Sequence, residues 1–225
     1  MKKLSIKNII EFRSKSDRSK RNFAIDMKLD KEKVNTDGGG DYWVSCLSAI
    51  SNSYKSNDLQ SIIDKREELE AKSEETEYNR TKTMYKRNID ILNNYDDFDF
   101  KNWRPSEKLK FLKKHKDDSI LTIKGLQVQV TPNHVFTFQK EGIEEIGAIW
   151  FIAKLDGFRK DELGMFTDIL YKYLNTHFSK DYTLNPKYCI AVDVFNNLDV
   201  EYSQIEKGEV PKILNVTLDE IKKLM

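Results

Sequence analysis

The chain has 225 residues, 39% of them hydrophobic and 33% charged, with a net charge of +1. That is enough to bury a sizeable core in one large or two small domains, at the polar end of globular composition. A charge this close to zero excludes a global field toward nucleic acid or membrane, so any polyanion must be met by a local patch.

Cys46 and Cys189 stand far apart in apolar runs, which argues for buried thiols in a reducing compartment and against a disulfide framework. No segment is apolar for long enough to cross a bilayer, and Met1-Lys2-Lys3-Leu4-Ser5 lacks the apolar stretch of a secretion signal. A cytoplasmic protein without membrane contact is expected. The sequons Asn79-Arg80-Thr81 and Asn215-Val216-Thr217 then carry no weight.

Residues 5–28 read as one helix, with Ile6, Ile9, Ile10, Phe12, Phe23, Ile25 and Met27 as its apolar positions and a basic run from Lys15 to Arg21 between them. The polar stretch that follows ends in Gly38-Gly39-Gly40. It lacks the Gly-Lys-Ser/Thr of a phosphate-binding loop and reads as a flexible connector. A helix over 42–54 carries Trp43, Cys46, Leu47 and Ile50. Residues 58–94 predict two charged helices with a sparse apolar stripe, breaking between Lys72 and Thr76. A domain boundary is expected near Tyr95, dividing a helical domain (1–95) from an α/β domain (96–225). Pro105 and Ser106 predict a short helix through Leu109 and Leu112, with Ser106 as its N-cap.

From Leu126 the period changes to two. Leu126, Val128 and Val130 alternate with glutamines, and Val135 to Phe138 continues the pattern after Pro132. Ile146 to Leu155 is apolar on both faces, the mark of a central, covered strand. A helix over Asp161 to Phe178 buries Leu163, Phe166, Leu170, Tyr173 and Leu174, and a strand over Tyr188 to Phe195 follows. Strand, helix, strand predicts a crossover between two parallel strands. The tail ends in a helix from Thr217, whose Thr-Leu-Asp-Glu start matches a capping box. The fold class is α+β: a helical N-terminal half, then a mixed-sheet α/β half.

The cysteines and the histidines His115, His134 and His177 share no zinc-ligand spacing. Charge interrupts the apolar strands at two places, Lys154 and Asp193. If the strands are adjacent, both lie near the carboxyl edge, where open α/β sheets hold ligands. Lys154 and Asp193 are therefore candidate catalytic residues. A buried lysine needs a carboxylate partner: Asp193 across the strands, or Glu162 above them. Asp156 and Glu162, with Asp161 beside them, are candidate metal ligands through hard carboxylate oxygens. Arg13, Lys15, Arg18, Lys20 and Arg21 are the candidate phosphate contacts for DNA or RNA.

Strand and turn, a partner strand ending in lysine, a helix with an acid, then an apolar strand: over residues 118–200 this order resembles the PD-(D/E)XK, or restriction-endonuclease-like, nucleases, including their RecB-type branch. The resemblance implies a first carboxylate followed by an acid-x-Lys strand, binding magnesium and activating water. Thr131-Pro132-Asn133-His134 occupies the first motif and Ile152-Ala153-Lys154 the second. Asn133 or His134 stands where aspartate is expected, Ile152 replaces the second acid, and only Lys154 matches. Glu162 would take the missing acid's role, as helix residues do in some members.

Two functions follow. One is a degenerate nuclease-fold subunit of a bacterial nucleic-acid-handling complex, of the phage-defence or restriction kind, with a protein partner or second copy docked on the polar N-terminal helices. The other is an active magnesium-dependent nuclease. A third reading is a non-enzymatic helical interaction protein.

Overall fold

In the computed structural model, residues 2–28, 42–113 and 119–225 are described. The Gly38-Gly39-Gly40 connector and His115 lie outside them. The chain runs β1 (Leu4–Ser5), α1 (Ile6–Ser14), α2 (Asp17–Lys28), α3 (Val44–Ser56), α4 (Gln60–Glu75), α5 (Asn79–Asn93), β2 (Lys110–Phe111), β3 (Ile120–Ile123) and β4 (Leu126–Gln129). It continues through β5 (His134–Lys140), β6 (Ile143–Ile152), α6 (Lys160–Phe178), β7 (Thr183–Asp193), β8 (Leu198–Glu201), α7 (Tyr202–Glu206) and α8 (Leu214–Leu224). Helices fill the first half and the main sheet the second, as the change of period predicts. Among the described residues no helix is long and apolar enough to cross a membrane.

The main sheet has the order β2-β5-β6-β7-β8, with β6 and β7 parallel and every other pair antiparallel. A small sheet, β1-β4-β3, stands beside it. Both faces of the main sheet are covered, and the period-two alternation sorts the side chains between them. Ile146, Ala148, Ile152, Cys189 and Ala191 join α1, α6 and α8 in one core, while Phe136, Ile149, Phe151, Ile190 and Val192 join α3, α4 and α5 in the other. This is the arrangement expected of strands apolar on both sides. Both cysteines are buried, and burial pushes the Cys189 thiol well up, away from thiolate chemistry.

Each core draws residues from both sides of Tyr95. The boundary there is a change of secondary structure, and the helices bury their apolar stripes on the sheet. The expected single helix over 5–28 is two. Lys15 is extended (φ −77°, ψ 150°) and its N–H closes α1 on the Phe12 carbonyl, so α1 packs on α6 while α2 packs on α8. The expected helix after Ser106 is absent: Lys110 and Phe111 pair with β5, and Phe111 enters an aromatic cluster with Tyr54, His134 and Phe136. Thr217 lies inside α8, its hydroxyl donating to the Ile213 carbonyl at 2.8 Å, so the capping box expected there does not form.

Candidate functional site

The carboxyl ends of β6 and β7 place the charged residues. Ile152 is in register with Asp193, and both belong to the α6 side of the sheet. Lys154 follows two residues past Ile152, in the connection to α6. That connection turns sharply: Asp156 and Gly157 both have positive φ (65° and 70°), and the Gly157 N–H closes on the Lys154 carbonyl. A Cβ on Gly157 would stand 2.5 Å from Asp193 Oδ2, so only glycine fits.

Asp193, fully buried, is the staple of this turn. Its Oδ2 accepts the Phe158 N–H at 2.8 Å and its Oδ1 the Phe195 N–H at 3.1 Å. Burial pushes its carboxyl above the usual aspartate range, partly offset by those amides and by the charge of Lys154. Glu162, in the first turn of α6, is the ion-pair partner of Lys154: Lys154 Nζ lies 3.3 Å from Glu162 Oε2 and 4.7 Å from the centre of the Phe158 ring. The same Oε2 accepts the Arg159 N–H at 3.0 Å, and Oε1 lies 3.3 Å from Arg159 Nη1. Glu162 therefore closes the start of a helix as well as pairing with Lys154.

Of the two partners anticipated for Lys154, the helix residue is the one in contact, although the strands are adjacent as the other required. Sequence reasoning missed Lys7, whose Nζ donates to the Ala153 carbonyl at 3.4 Å. The first turn of an N-terminal helix gives no sign of reaching a residue 146 positions away. Lys7, Glu11, Trp43, Lys154, Phe158 and Glu162 line a cleft of about 240 Å³.

The residues at this edge do not fit magnesium. Asn133 Oδ1 accepts the Phe151 N–H at 2.8 Å. His134 Nε2 lies 2.8 Å from Ser51 Oγ and 2.9 Å from the Ser51 carbonyl, with its ring stacked on Tyr54. Ile152 is in the core. The metal role expected of Asp156 and Glu162 is not supported: Asp156 is exposed at the turn, Glu162 is engaged by two cations, and among the described residues no three His, Cys, Asp or Glu side chains converge on a metal position.

The basic stretch divides. Arg13 Nη1 donates to Thr217 Oγ1 at 3.0 Å, and Lys20 pairs with Glu220 at 2.7 Å over the Phe12 ring. These two dock α1 and α2 on α8. Lys15 is half-buried and Arg18 and Arg21 are exposed on α2; Arg21 joins Lys20 and Lys223 of α8 around a shallow cleft that also holds Asp17 and Glu220.

No protein family, curated protein or solved structure matches this chain.

Proposed function

We propose that this chain is a non-catalytic protein on a nuclease-like α/β scaffold that binds nucleic acid by its phosphates, as a subunit of a larger nucleic-acid-handling assembly. One observation carries the reading. The position that holds the lysine of an acid-x-Lys motif keeps its lysine at the carboxyl edge, while the positions expected to supply carboxylates are committed to the fold: Asn133 to the Phe151 N–H, His134 to Ser51, Ile152 to the core. The β5–β6 hairpin, the crossover through α6 and the parallel β6–β7 pair support the likeness in their order. A fold with this edge but without its acids retains shape and loses chemistry.

Arg18, Arg21 and Lys223 are the contacts this reading assigns to phosphate, joined by Lys7 and Lys154 at the sheet edge. α4 and α5 bury few side chains, and Tyr78 in the turn between them is 77% exposed, which supports a partner on the helical side. Fluorescence anisotropy with labelled DNA and RNA over a salt series tests the binding. The expected result is affinity that falls linearly with log salt, with a slope set by a few phosphates. Absence of binding to either polymer at low salt contradicts the proposal.

A further inference from the structure

A separate cleft, of about 570 Å³, lies between the C-terminal half of α6, β3 and α7, within the range of small-molecule sites. Its wall includes Thr122, Tyr171, Lys172, Asn175, Tyr202 and Lys212. Behind it is Asp168, 1% exposed, one helical turn before Lys172. Its Oδ1 forms an ion pair with Lys172 and stands 3.8 Å from Lys212 Nζ. Two ammonium groups thus meet one carboxylate oxygen in a wall only partly open to water.

That cluster sets two ammonium groups against one buried carboxylate, with Lys172 partly buried and Lys212 half-exposed. Burial pushes the Lys172 ammonium toward its neutral form; the hydrogen bond and charge of Asp168 oppose this, and the nearby Lys212 charge adds to it. Glu206, the other acid that acts on Lys212, is exposed, so its charge is well screened. A second anion between the lysines would restore the balance.

The aromatic part of the wall is equally defined. Tyr171 and Tyr202 stack with centroids 3.7 Å apart and planes 3° from parallel. Lys212 ties the two features together, donating to Tyr202 Oη at 3.0 Å and lying 5.4 Å from its ring centre. We propose that this cleft binds a small phosphate-bearing ligand with a planar ring, of the nucleotide class, its phosphate between Lys172 and Lys212 and its ring against the tyrosine pair. This site is independent of the sheet edge and of the basic face of α2.

Calorimetry on the full chain with adenosine monophosphate, adenosine and inorganic phosphate tests it. The mononucleotide is expected to bind at least roughly tenfold more tightly than either fragment, since only it uses both the lysines and the rings. Lys212→Met, at a half-exposed side chain, is expected to fold like the parent and to weaken the mononucleotide by roughly tenfold. Tyr171→Ala should weaken the mononucleotide and leave inorganic phosphate unchanged. Mononucleotide affinity no greater than that of adenosine or phosphate, or equal in the parent and Lys212→Met, overturns the proposal. Asp168 and its lysines then form a structural ion cluster only.

Discussion

Lys154 Nζ and Glu162 Oε2 are 3.3 Å apart, yet the two ends of this ion pair live in different surroundings: the lysine side chain is 45% exposed and the carboxylate 7%. A lysine half in water adds little stability through its pair. The carboxylate also accepts the Arg159 N–H at the start of α6. Lys154→Met should therefore change unfolding free energy by less than about 1 kcal/mol, whereas Glu162→Gln should lower it by about 1–2 kcal/mol, the cost of a weakened helix start. Urea melts of the two variants check this. A loss of about 3–5 kcal/mol for Lys154→Met would be the signature of a buried pair.

Asp193 makes the pH dependence of stability predictable. Its folded-state carboxyl is raised from the ordinary 3.8. Between that value and the raised one, the folded chain holds a proton that the unfolded chain has released, so unfolding gains ground as pH rises through the window and levels off above it. Asp193→Asn removes this fall. It also places an amide against one of the two N–H donors, lowering stability at every pH by about 1–3 kcal/mol. Melting curves of parent and variant across acid to neutral pH should converge toward neutrality; parallel curves would contradict the raised carboxyl.

The basic stretch offers a contrast within one helix pair. Arg18→Gln with Arg21→Gln should leave the melt unchanged and flatten the salt dependence of DNA or RNA binding by about two phosphate contacts. Arg13→Gln or Lys20→Gln should instead lower stability by roughly 0.5–1.5 kcal/mol, because their partners Thr217 and Glu220 hold α8. Anisotropy titrations and urea melts on the same three variants separate the two roles.

The central strands were the most legible part of the chain. Strands read over Ile146 to Leu155 and Tyr188 to Phe195 are there, the first ending at Ile152, and the split of Ala148 and Ile152 from Ile149, Phe151 and Ala153 is that of the two cores. Segments decided by distant partners were not legible. Lys110–Phe111 is a strand because β5 has a free edge there, and the local helix signal at Ser106 yields to that pairing. The Ile120–Ile123 strand went unnoticed, although the two-residue Lys124-Gly125 turn with φ of 55° and 80° is the kind that joins a tight hairpin. At the candidate site, the Lys154–Glu162 pair was anticipated, but Lys7 and the role of Asp193 were not: a buried aspartate in a strand looks the same in sequence whether it meets a lysine or two backbone amides. The Asp168–Lys172 pair drew no notice in the sequence, because charges one helical turn apart are common and only burial makes this pair notable.

The account depends most on the absence of nuclease chemistry at the carboxyl edge of β6. The most direct measurement is incubation of the purified chain with supercoiled plasmid, linear duplex and single-stranded RNA in the presence of magnesium or manganese. The parent should bind without cleaving any of them, and Lys154→Met should likewise cleave none. Metal-dependent cleavage by the parent that is lost in both Lys154→Met and Glu162→Gln would contradict the account and assign the edge to an active nuclease.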